Sequence, residues 1–75
     1  SVSQDYTDKI PCITQETLLI WGDLDTATPI SDALTMNKLI KNSKLEVIKG
    51  AGHFPFIDDP FAFRKILKNY FGLSQ

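Results

Sequence analysis

Apolar positions in this chain fall into four clusters with two different periods. Thr17-Leu-Leu-Ile-Trp21 is apolar at four consecutive positions, which predicts a short strand covered on both faces. Leu45-Glu-Val-Ile48 sets Glu46 between apolar residues, which predicts a strand with one face near water or near a sheet edge. Between them, Ile30 to about Lys41 reads as a helix. Ser31 can cap its first turn, Ile30, Ala33 and Leu34 open an apolar stripe, and Leu39 and Ile40 continue it until Asn42-Ser43. The last cluster is the sharpest. Phe63, Ile66, Leu67, Tyr70 and Phe71 fall at i, i+3, i+4, i+7 and i+8. Asp59 precedes them as an N-cap, Pro60 suits the first helical position, and Gly72 is placed to end the helix.

The order is therefore β-α-β-α, an α/β pattern. Two strands joined by a helix run parallel through a right-handed crossover, so their exits lie at one edge of the sheet, about 4.8 Å apart or twice that. Open α/β sheets place ligand sites at that carboxyl edge. Asp25 follows the first strand, in Gly22-Asp-Leu-Asp25-Thr-Ala-Thr-Pro29, and the single histidine, His53, follows the second, in Lys49-Gly-Ala-Gly-His53. A carboxylate and an imidazole brought together there make two-thirds of a catalytic triad. The imidazole titrates near neutrality and can take a proton from a nucleophile. The carboxylate accepts from its other ring nitrogen and fixes the tautomer. Gly50 and Gly52 allow the loop to turn sharply.

Composition narrows the function. The 75 residues are 43% hydrophobic and 23% charged with net charge -1, which excludes a basic nucleic-acid surface. No apolar run approaches the roughly 20 residues that span a bilayer, and the opening residues carry no signal-peptide pattern. Cys12 is the lone cysteine, without metal-ligand neighbours, and is expected to be buried or half-buried. No metal or cofactor is expected, and a cytoplasmic setting fits. Residues 1–10 open without methionine and read as a polar linker or the cut end of something longer. Ile10, before Pro11, favours extended backbone. Residues 11–75 hold the folded part. A chain this short buries only about 60–65% of its unfolded surface, and the first strand needs neighbours that this pattern does not supply.

The runs Leu18-Leu-Ile-Trp-Gly-Asp-Leu-Asp25-Thr-Ala-Thr-Pro29 and Val47-Ile-Lys-Gly-Ala-Gly-His-Phe-Pro-Phe56, with Asp59-Pro60, resemble the C-terminal part of the α/β-hydrolase superfamily over residues 11 to 72. The resemblance implies the last two parallel strands and helices of such a sheet, with triad order nucleophile, acid, histidine. It implies Asp25 as the acid, His53 as the general base, and Pro29 at the turn into the connecting helix. Asp23 is then a turn former, and Asp58 and Asp59 are structural, near a helix N-terminus that favours acidic groups. Phe54 and Phe56 are candidates for substrate contact, and Trp21 is expected beneath the site. No Gly-x-Ser-x-Gly elbow occurs. Ser1, Ser3, Ser31, Ser43 and Ser74 lack its glycines, so the nucleophile (Ser, Asp or Cys) lies elsewhere. The expectation is a C-terminal hydrolase segment, inactive alone, that acts on a small-molecule substrate when joined to the upstream part of its domain. The alternative is a non-catalytic β-α-β-α module or truncated relic that self-associates. Neither reading involves nucleic acid or a membrane.

Overall fold

The computed structural model describes residues 4–73. Ser1, Ser3 and Ser74, and the first three residues of the polar opening, lie outside the described residues. The elements are α1 (Gln4–Lys9), a 3-10 turn (Ile10–Cys12), β1 (Thr17–Gly22), α2 (Ile30–Leu39), β2 (Ser43–Ile48), α3 (Pro55–Asp58) and α4 (Pro60–Phe71). The two strands pair directly and in parallel, with Leu19 opposite Leu45, Trp21 opposite Val47 and Gly22 opposite Ile48. No strand lies between them. Both exits therefore open at the same edge, one strand spacing apart.

Leu19, Ala33, Ile40, Ile48 and Ala51 form the buried apolar core, and Ile40 is its largest fully buried side chain. The inward arc of α2 runs through Ala33, Met36 and Asn37 and is continued by Ile40, the residue just past its end, the i, i+3, i+4, i+7 set. Leu34 lies about 100° around the helix from Ala33 and is 57% exposed, so it is not part of the stripe predicted for it. Apolar residues stand side by side at 33–34 and again at 39–40, and only the packing selects one line. Ser31 does not cap this helix. Ile30 is already helical, and Pro29 takes the N-cap position without a side-chain cap bond. The helix stops at Leu39, earlier than about Lys41. Ile40 is extended, and Ser43 Oγ donates into the Ile40 carbonyl and Asn37 Oδ1 at the helix end.

The last helix follows its signals closely. Asp59 Oδ1 accepts from the Ala62 amide at 3.0 Å, and Gly72 closes the helix at φ 69°. The Leu73 amide then reaches the Lys68 carbonyl at 2.8 Å, a Schellman closure. Phe63, Ile66, Leu67 and Tyr70 are half-buried, while Phe71 stays exposed. The Glu16 carboxylate, at the entry of β1, lies close enough to act on the Tyr70 hydroxyl of α4. Burial first, then the Glu16 carboxylate and its negative charge, push the Tyr70 hydroxyl's pKa up.

Three features depart from the sequence reading. Residues 4–9 of the polar opening form α1. Ile10 lies in a 3-10 turn instead of extended chain, with Pro11 in the first positions of that turn, where its missing amide is no loss. Cys12 is exposed, not half-buried. The four-residue α3, between the two loops and α4, has no counterpart in the β-α-β-α pattern. Each strand keeps one edge without a strand partner among the described residues. Among the described residues no helix is long and apolar enough to cross a membrane.

Candidate active site

Two loops leave the sheet at its carboxyl edge and are laced together. The Asp23 amide donates to the Ile48 carbonyl at 3.2 Å and the Leu24 amide to the Ala51 carbonyl at 2.9 Å. Asp23 Oδ1 accepts from the Gly50 amide at 2.7 Å. Asp23 is thus committed to the opposite loop. On the far side of the histidine loop, Asp58 Oδ2 accepts from the Gly52 amide at 2.7 Å. A carboxylate pins each flank of the segment that carries His53.

The glycines in these loops have different physical roles. Gly50 takes φ +83°, a conformation other residues adopt only at a cost. Gly52 does not have positive φ. Gly22 is the tight position: a Cβ built there would lie 2.3 Å from the carbonyl oxygens of both Ala51 and Gly52. The end of β1 and the histidine loop are in backbone contact through it.

Asp25 is charged yet only 8% exposed, and its oxygens are fully occupied. Oδ1 accepts from the Ala27 amide at 3.0 Å and the Thr28 amide at 2.8 Å, the pattern of an Asx turn. Oδ2 accepts from the Thr28 hydroxyl at 2.7 Å and lies 2.9 Å from His53 Nδ1. Burial alone would raise this carboxyl's pKa. The bonds from the Thr28 amide and hydroxyl, then the bond and positive charge of His53, outweigh it and hold the pKa at about 2. Asp25 is therefore ionised throughout the neutral range. With Nδ1 against the carboxylate, Nε2 is the nitrogen left for proton transfer. The His53 side chain is half-exposed and borders an open hollow of about 140 Å³, lined also by Ile20, Trp21, Gly22, Asp25, Thr28 and Pro55.

Trp21 lies where it was expected. Its Nε1 donates to the Thr28 carbonyl at 2.7 Å, so the end of β1 holds the acid loop. Phe54 and Phe56 do not line the hollow. They form an edge-to-face row from His53 to Phe63 of α4, with centroid separations of 4.8, 6.0 and 5.9 Å. Thr28 is the site residue the sequence reading missed. Its one visible signal is a hydroxyl three positions after the acid, where an Asx turn folds it back. Among the described residues no group of three or more His, Cys, Asp or Glu side chains converges as a metal site requires.

Comparison with known proteins identifies the family and the fold. A family model described as alpha/beta hydrolase fold matches residues 2–60. A pimeloyl-[acyl-carrier protein] methyl ester esterase of Vibrio vulnificus is 31% identical over 68 residues, 91% of this chain and 27% of its own length. An uncharacterised protein of Mycobacterium tuberculosis is 35% identical over 57 residues, 76% of this chain and 17% of its own length. The crystal structure of a predicted CIB-like hydrolase from Thermoplasma acidophilum superposes with a TM-score of 0.85 at 31% identity, covering 91% of this chain and 33% of that one. The chain thus spans a third or less of the proteins it resembles. Its two-stranded parallel sheet with flanking helices corresponds to one part of their fold. On the strength of the family match, the chain belongs to the alpha/beta hydrolase fold family.

Proposed function

We propose that this chain is the C-terminal segment of a hydrolase, in which Asp25 is the triad acid and His53 the general base. A nucleophile and an oxyanion hole come from residues upstream of Ser1. The observation that carries the reading is the 2.9 Å approach of Asp25 Oδ2 to His53 Nδ1 at the carboxyl edge of a parallel sheet. In that arrangement His53 Nε2 takes the proton of the attacking group, and Asp25 stabilises the imidazolium that forms. When the leaving group departs, the same nitrogen returns the proton. The esterase among the relatives makes a carboxylic ester the first substrate class to try.

Base and acid without nucleophile and oxyanion hole give little acceleration. The 75-residue chain is therefore expected to hydrolyse p-nitrophenyl acetate no faster than buffer. The gene product read through the upstream sequence is expected to turn it over, and to lose about three or more orders of magnitude in kcat with His53→Ala. Retention of turnover in that variant would overturn the reading. The open edges of β1 and β2 favour a second role, pairing with another strand. In the enzyme the upstream part of the domain fills it, and in the isolated chain a second copy does.

A further inference from the structure

The hydroxyl of Thr28 stands between the acid and the base. A hydroxyl has one proton to give and lone pairs to receive with. At 2.7 Å from Asp25 Oδ2, an ionised acceptor, that proton points at the carboxylate. The same oxygen lies 3.3 Å from His53 Nδ1 and presents a lone pair to it. Nδ1 thus faces two acceptors, Asp25 Oδ2 at 2.9 Å and Thr28 Oγ1. A proton on Nδ1 satisfies both, whereas a ring lone pair there would meet two others. Thr28 is itself fixed. Its amide donates to Asp25 Oδ1 at 2.8 Å, and its carbonyl accepts from Trp21 Nε1 at 2.7 Å.

We infer that Thr28 is a positioning residue: its hydroxyl holds the Asp25 carboxylate against His53 and, with it, keeps the neutral imidazole in the Nδ1–H tautomer that leaves Nε2 free to accept a proton. The catalytic consequence rests on the function proposed above, while the tautomer is a property of this chain alone. Without the hydroxyl, Oδ2 loses one of its two donors and the carboxylate can turn. The ring can then populate its other tautomer, with the proton on Nε2, where it is useless as a base toward the hollow.

The chain's single histidine makes the test unambiguous. In the 15N-histidine-labelled chain at about pH 9, above the ordinary imidazole range, Nδ1 should resonate as a protonated nitrogen and Nε2 as an unprotonated one. Thr28→Val should move both signals toward values averaged over the two tautomers, Thr28→Ser should restore the original pair, and Thr28→Ala should behave as Val does. In the full-length enzyme Thr28→Val should lower kcat about tenfold, as loss of one charge-assisted hydrogen bond implies, with KM within about twofold and the Ser variant recovering the rate. Unchanged ring signals in Thr28→Val and Thr28→Ala, with kcat within about twofold, would overturn the role of Thr28. Asp25→Asn separates the two claims. If it too left the ring signals unchanged, the failure would belong to the Asp25–His53 pair, not to Thr28.

Discussion

Gly22→Ala is the substitution that this packing tolerates least. The added Cβ would lie 2.3 Å from the carbonyl oxygens of Ala51 and Gly52 and 2.6 Å from the Ala51 carbonyl carbon. All three are backbone atoms of the histidine loop. That loop is held by the Leu24 amide, by Asp23 on the Gly50 amide and by Asp58 on the Gly52 amide, so relief means breaking one of these bonds. Overpacking costs about 1–3 kcal/mol where side chains can yield, and backbone on both sides places this site at the top of that range or above it. For a chain of this size each kcal/mol lowers Tm by about 4–8 °C, so a fall of at least about 10 °C is expected. The other loop glycines serve as internal controls. Gly50→Ala meets no atom within 4 Å but must hold φ +83°, at about 1–2 kcal/mol. Gly52→Ala meets only Asp58 Oδ2 at 3.2 Å, a side-chain atom that can shift, and should cost under about 1 kcal/mol. Thermal unfolding followed by circular dichroism gives the order Gly22 worst, then Gly50, then Gly52; complete loss of folding for Gly22→Ala is the extreme of the same outcome. A Gly22→Ala chain as stable as Gly52→Ala would refute the close contact between the two loops.

Three further outcomes follow from other parts of the molecule. Ile40→Ala should cost about 2–5 kcal/mol because Ile40 is fully buried, whereas Leu34→Ala should stay within about 0.5 kcal/mol; urea midpoints of the two variants check this, and equal losses would contradict the assigned inward face of α2. The Asp25 pKa is lowered from 3.8 to about 2, so the folded state binds this proton less readily than the unfolded chain. The stability it contributes is complete above about pH 3.8 and disappears as pH falls through about 2; the gap in urea midpoint between the chain and Asp25→Asn should close over that window, and a constant gap would contradict it. The open strand edges, and the exposure of Val47, Ile57 and Phe61 at 45%, 65% and 80%, predict a dimer or larger assembly of the isolated chain in sedimentation at low micromolar concentration, where a single monomer with a cooperative thermal transition would show that these elements suffice alone.

What could be read from the sequence was what local chemistry decides. Asp59, Pro60 and Gly72 mark α4 because caps act on their own backbone, and parallel pairing followed from two apolar runs with a helix between them. The choice of Asp25 over Asp23 came from the motif, and in the structure Asp25 faces His53 while Asp23 bonds Gly50. What could not be read depends on distant contacts. Thr28 resembles any turn threonine until His53, far along the chain, is brought to it. Gly22 looks like a strand end until the Ala51–Gly52 backbone packs on it. Leu34 and Ala33 compete for one helix face, and only the sheet beneath selects Ala33. The aromatic pair Phe54 and Phe56 flanks the base in the sequence, and only the fold shows that it forms a row leading to Phe63.

The most direct test compares two aspartates in the full-length enzyme, two residues apart on one loop. Asp25→Asn leaves the loop in place but removes the charge facing His53, and should lower kcat by about four orders of magnitude. Asp23→Asn weakens one bond to the Gly50 amide and should leave kcat within a few-fold. Ester turnover measured for both variants decides the matter: a severe loss in Asp25→Asn alone is the predicted result, and near-normal turnover there with collapse in Asp23→Asn would contradict the account.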